Sequence, residues 1–215
     1  GTAFARRPDG SIIVGRMVSP DLWTDLPAGW YGTGNKANPL VPYRIVSADQ
    51  RHHPFGSRVF VPGAVGMKSP DGKTLDGYFW VGDIGDCIRG PFRFDVFVGL
   101  GPVYREIMKT TDGHWVSQVK VEAPPKPRIG LDYRNEPGRR KILEKLGYDV
   151  SRKVQNLEGG STGAEAALID FQRQHPQIPK LEYGRGDSAV TRWFLAQAAE
   201  AVASGETYPV GPSGE

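Results

Sequence analysis

The chain is poor in the residues that usually announce a staple or a metal. Cys87 is the only thiol, and His52, His53, His114 and His175 are the only imidazoles in 215 residues. One cysteine excludes an intrachain disulfide. His52 and His53 are adjacent, so a strand would send them to opposite faces, and the other two lie far off in sequence. No metal site is expected. Cys87 stands beside Asp86 with no nearby His, which speaks against a catalytic thiol. No apolar run reaches the ~20 residues of a membrane-spanning helix. Blocks of one charge sign are also missing. The net charge of +3 divides as +2 over residues 1–122 and +1 over 123–215, so nucleic acid is not an expected partner. Gly32, Gly34, Gly99 and Gly101 lack the strand-to-helix setting of a dinucleotide site, and no cofactor is expected. The chain begins at Gly1, and its start carries no information about a leader segment.

What is present is a folded, turn-rich composition: 39% hydrophobic, 24% charged, with 28 Gly and 18 Pro. Such a length fits one large domain or two small ones. The first half is strand-like. Runs at 43–48, 58–61, 78–81, 92–98 and 115–121 are β-branched or aromatic, with Gly, Pro and Asp between them. A helical stretch is expected at 102–109. This pattern reads as a closed or partly closed β-barrel. Pro124, Pro125 and Pro127 then break it, because proline fixes φ and cannot donate to a ladder. The second half changes period. Ile142, Leu143 and Leu146 share a helix face ending at Gly147. A second helix over 164–174, capped by Ser161 or Thr162, turns Ala167, Leu168 and Phe171 inward. A third, capped by Asp187 or Ser188, runs to about Ala203 with Val190, Phe194, Leu195 and Ala198 inward. The expected class is α+β: a β-barrel followed by a small three-helix bundle. The expected segments are an N-terminal extension over 1–29 that packs on the barrel, the barrel over 30–122, and a Pro-rich linker over 123–130. The helical domain over 131–204 and a loose tail over 205–215 follow.

The segment from Val81 to Gly99 carries the chemistry. Asp83 ends a strand, turn residues Gly85 and Gly90 follow, and the chain returns bearing Asp95. Phe92, Phe94 and Val96 share one face of the returning strand; Arg93, Asp95 and Phe97 share the other. A carboxyl between aromatic neighbours is a candidate general acid. The competing reading is a pair of turn carboxylates that bond backbone N–H groups. The tryptophans Trp23, Trp30, Trp80 and Trp115 fit sugar-stacking platforms or, more commonly, core.

Asp83, Gly85, Ile88, Arg89, Gly90, Arg93, Asp95 and Phe97 resemble the signature of the three-aspartate (3D) domain. That domain occurs in the membrane-bound lytic transglycosylase A family and in stationary-phase muralytic proteins. Upstream, Ala48-Asp49, then Pro54-Phe55-Gly56-Ser57 and Val59 to Pro62, resembles a second motif of the family. Trp30 to Gly34 resembles its opening strand. The resemblance covers roughly 30–122 and implies a double-psi β-barrel. It implies Asp95 as the catalytic residue and Asp83 beside it, with Asp49 either structural or a wall of the cleft. It further implies peptidoglycan glycan strands as substrate, and hence a periplasmic or secreted place in a bacterial cell envelope. Asp49, Asp86, Arg89 and Tyr31 are the expected substrate-binding residues. Asp86 and Cys87 depart from the family's preference for small residues there, and no counterpart of the family's large second β domain is recognisable.

The second half resembles the three-helix peptidoglycan-binding domain. Leu143 to Gly147, Ala164 to Gln172, and Asp187 to Thr191 with Phe194 and Leu195 carry that likeness. The spacing from Asp187 to Thr191 is one residue longer than usual. Three functions compete at this point. One is a lytic transglycosylase that leaves 1,6-anhydro ends. Another is a non-catalytic, expansin-like wall binder. The third is an inverting polysaccharide hydrolase with Asp95 as acid and Asp49 or Asp83 as base.

Overall fold

The computed structural model describes residues 2–6, 12–19, 22–25, 31–69, 72–99, 118–151 and 163–209. The helix expected at 102–109, the caps Ser161 and Thr162, and Trp30 and Trp115 lie outside them. The chain divides into two compact units, Gly1–Glu122 and Ala123–Glu215.

In the first unit, β1 (Thr2–Arg6), β2 (Ile12–Ser19) and β3 (Leu22–Asp25) form an antiparallel sheet in chain order. These strands stand where the sequence reading had only an extension. A second, mixed sheet follows. It holds β4 (Ile45–Ala48), β5 (Arg58–Phe60), β6 (Tyr78–Asp83), β7 (Phe94–Val96) and β8 (Lys120–Glu122) in the order β7-β4-β6-β5-β8. The β4–β6 pair is parallel, and the other three pairs are antiparallel.

One face of this sheet is apolar. Val46, Ala48, Val59, Phe79 and Val81 form its core with Val61 and Ala64, and Phe94, Val96 and Val121 pack against them. These are alternate residues of the strands, as a half-buried strand requires. Phe92 was expected on that face. The strand starts only at Phe94, so Phe92 lies in the preceding turn and is 93% exposed. Trp80 is buried at 1% exposure, a core residue rather than a sugar platform.

The second unit holds α1 (Glu136–Lys145), α2 (Gly163–Arg173) and α3 (Ala189–Ser204). Asn135 caps α1 by accepting from Gly138 N–H at 2.9 Å, and Pro137 fills the first turn, where a missing N–H costs nothing. Ile142, Leu143, Ala167, Leu168, Phe171, Val190, Leu195 and Ala198 are buried as their periodicity predicts. Leu146 and Phe194 are only half-buried.

Ser188 is the N-cap residue of α3, yet its side chain makes no capping bond. The first N–H groups of the helix are met by Glu182 instead. Its carboxyl accepts from Thr191 N–H at 2.8 Å, Thr191 Oγ1 at 2.8 Å and Val190 N–H at 3.4 Å. Gln172 completes the buried cluster, donating to Thr191 Oγ1 and to the Glu182 carbonyl and accepting from Gly184 N–H. The proline-rich segment is tied into this unit. Tyr133 Oη donates to the Pro125 carbonyl at 2.9 Å, and Arg128 pairs with Glu200. Tyr208, in the stretch expected to be loose, is buried against Phe171 and His175.

Candidate functional site

β4 lies between the two strands that carry the signature carboxylates. Ser47 is register-paired with Asp83 of β6 on one side and with Asp95 of β7 on the other. Directly paired residues project to the same face. The three therefore make a polar row, Asp83–Ser47–Asp95, on the side of the sheet opposite Val46 and Val81. A chain that returns directly after Gly85 and Gly90 would set Asp83 and Asp95 on neighbouring strands; instead β4 lies between them.

A bulge makes the row possible. Val46 pairs with Val81, but Ser47 pairs with Asp83, so Gly82 is an extra residue in β6. Strict alternation would turn Asp83 inward with Val81; one inserted residue turns it outward. Gly82 has no room for a side chain there. A Cβ would collide with the Asn38 amide and come within 3.0 Å of Ile45 Cγ2. Ser47 Oγ donates to Asp83 Oδ2 at 3.2 Å, and Asn35 N–H donates to Asp83 Oδ1 at 2.9 Å. Gly34 permits the second contact, since a Cβ there would stand 2.7 Å from Asp83 Oδ1. Asp83 is thus held from two sides.

Asp95 is not held in that way. Its side chain is 52% exposed, and Arg93 Nε approaches its Oδ1 at 3.4 Å. Arg93 also donates to the Cys87 carbonyl at 3.3 Å. Instead of lying between aromatic rings, the Asp95 carboxyl faces solvent beside a guanidinium. Phe97, two residues on, packs edge-to-face with Tyr31 at 5.9 Å between centroids, which brings Tyr31 to the same side of β7.

Asp49 is buried. It accepts from Arg51 Nη2 at 2.6 Å, Arg51 Nε at 3.0 Å and Gly90 N–H at 3.0 Å. The Arg51 guanidinium, and then the Gly90 amide, hold its carboxyl far below the usual aspartate range. Its oxygens are occupied within the protein, and they fasten the β6–β7 connection to the end of β4. His53 reinforces the same connection through the Pro91 carbonyl at 2.8 Å and the Phe94 ring. Asp86 and Arg89 are exposed on that connection, Arg89 donating to the Gly85 and Ile88 carbonyls.

Ser47, Asn35, Gly34 and Arg93 were not singled out as site residues from the sequence. Ser47 had a signal: a polar residue between Val46 and Ala48 must face away from the core. Gly82 had one too, because a glycine inside a strand marks a bulge.

Residues 44–120 match the family model of the 3D domain. They are a 3D domain. The family is of double-psi β-barrel type and is associated with cell-wall-related, lytic-transglycosylase-like proteins. All three signature aspartates, Asp49, Asp83 and Asp95, fall inside the match. It ends before the helices, and no curated protein matches the chain.

Proposed function

We propose that the protein is a peptidoglycan lytic transglycosylase of the bacterial cell envelope, periplasmic or secreted, with Asp95 as acid and then base. The observation that carries the reading is the Ser47-centred row. It joins a fixed carboxylate to a solvent-open one on a single face of a 3D domain. Protonated Asp95 donates to the glycosidic oxygen between MurNAc and GlcNAc as the C1–O bond breaks. The resulting carboxylate accepts the proton of the MurNAc C6 hydroxyl, whose oxygen attacks C1 and closes the 1,6-anhydro ring. Atoms balance without water. Asp83, held by Ser47 and Asn35, stands in the same row and steadies the positive charge developing on the sugar. Tyr31, Asp86 and Arg89 border the glycan, and Asp49 acts as a positioning residue through Gly90. The helical unit holds the wall.

The test is mass spectrometry of muropeptides released from purified sacculi. The expected product carries 1,6-anhydro-MurNAc ends. A second reading has one observation behind it. Asp83 and Asp95 share one face of the sheet with β4 between them, and an inverting pair needs two carboxyl groups set far enough apart to admit a water. In that reading Asp83 is the base, since the oxygens of Asp49 are already occupied. Reducing ends in the product select this hydrolase. Wall binding with no cleavage selects the expansin-like binder.

A further inference from the structure

The second unit carries a groove that its packing does not use. It is open to solvent and holds about 250 Å³ between α1 and α2, bordered by Glu136, Arg139, Arg140, Glu165 and the loop glycines Gly184 and Gly186. Leu143, Ala164 and Leu168 give it an apolar floor.

Arg139 is half-buried in this wall. The one hydrogen bond of its guanidinium among the described residues is a long one, Nη1 to the Tyr133 carbonyl at 3.4 Å. A guanidinium has five N–H donors in a fixed fork, so most of its capacity is unspent. Gly186 makes the position possible, because a Cβ there would overlap the Arg139 side chain. Burial lowers the Arg139 pKa while Asp187 and Glu136 oppose that shift, and an arginine remains charged throughout. Arg140, Glu136 and Glu165 are exposed at the rim, with no ion-pair partner among the described residues.

The two arginines and two glutamates that border the groove cancel. A purely anionic ligand would meet Glu136 and Glu165, and a purely cationic one would meet Arg139 and Arg140. A ligand with both charges a few ångströms apart satisfies both sets. The volume lies below the ~300–1,000 Å³ of sites for drug-sized ligands, which suits an end of one or two residues.

We infer that this groove takes the zwitterionic end of a wall stem peptide, its carboxylate on Arg139 and Arg140 and its ammonium between Glu136 and Glu165. The inference rests on the wall-holding role of the helical unit. It assigns that role to peptide rather than to sugar.

The test uses the full chain and a synthetic alanyl-γ-glutamyl-diaminopimelic acid tripeptide, followed by titration calorimetry. The wild type binds the tripeptide. Arg140→Gln and Glu165→Gln each weaken it about tenfold or more, the effect of one lost charge-assisted hydrogen bond. Both side chains are exposed, so their melting midpoints stay unchanged. Amidating the peptide carboxyls abolishes binding. No binding to the wild type, wild-type affinity in both variants, or indifference to amidation overturns the inference. Cleavage of peptide-free glycan strands is scored separately. If strands are cut and the tripeptide is ignored, the groove assignment falls and the transglycosylase reading stands. Tripeptide binding with no cleavage of any strand gives the reverse.

Discussion

The two units each gather polar side chains around a carboxyl, and they do opposite things with them. In the second, Glu182, Gln172 and Thr191 are fully buried, and each has its partners inside the fold. In the first, Asp83 is held by Asn35 and Ser47 but Asp95 stands open to solvent beside Arg93. A sealed, satisfied cluster specifies a structure, whereas an open carboxyl on a rigid sheet is available for chemistry. The motif letters alone do not separate the two cases; exposure does.

The strongest way to break this contrast is Asp95→Asn, which keeps the shape and removes the transferable proton. Cleavage of sacculi should fall about 10²–10⁴-fold, while sedimentation with sacculi persists. Full activity in the variant would leave the open carboxyl with no chemical role. Next in size is Gly34→Ala. The new methyl would stand 2.7 Å from Asp83 Oδ1 and push that carboxyl off its place. A displacement of about 1 Å near reacting groups costs about 10²-fold in rate. The cleavage assay should show this loss with the far-ultraviolet dichroism unchanged, and an unchanged rate would remove Asp83 from the site.

Much of this arrangement was legible beforehand, for a physical reason. Val46, Phe79, Val81, Phe94 and Val96 face the core because strands alternate, and the alternation of their polar neighbours followed from that. The α2 and α3 stripes followed from the helical period in the same way. What was not legible is register. Alternation cannot reveal that β4 separates β6 from β7, nor that Gly82 is an extra residue, because both depend on pairing between distant segments. Glu182 was missed for a related reason. It caps α3 from a separate turn, Lys180–Glu182, whereas sequence adjacency points only to Asp187 and Ser188. The N-terminal strands β1–β3 were also unread.

The sealed cluster makes its own prediction. Burial raises the Glu182 pKa from 4.5 to about 7, against the bonds from Thr191 and Val190. The unfolded chain therefore ionises this group first as pH rises. Its contribution to stability is complete below pH 4.5 and is lost as pH climbs to about 7. His175 works the other way. Burial lowers its pKa, so its contribution is lost as pH falls below 6.5. Comparing wild type with Glu182→Gln cancels the histidine. From pH 4.5 to 7 the wild type should lose on the order of 3 kcal/mol relative to the variant, read from urea midpoints of the second unit. A flat difference would mean that the donors around Glu182 offset its burial.

The smallest effect sharpens the contrast most, because it separates exposure from function. Arg128 and Glu200 form an exposed ion pair in the second unit, and Arg93 and Asp95 form one in the first. Water screens both, and holding two long side chains in one geometry spends the little that remains. Arg128→Ala should therefore leave the melting midpoint and the cleavage rate unchanged within repeat scatter. Arg93→Ala should be equally silent in the melt. It should nevertheless slow cleavage, because its guanidinium meets the carboxyl that carries the reaction and also ties that strand to the Cys87 carbonyl. Two pairs alike in stability and unlike in rate would mark the Asp83–Ser47–Asp95 row as the reacting surface. If both variants cut sacculi at the wild-type rate, the Arg93 contact is as incidental as the Arg128 one, and exposure beside a signature aspartate carries no functional weight here.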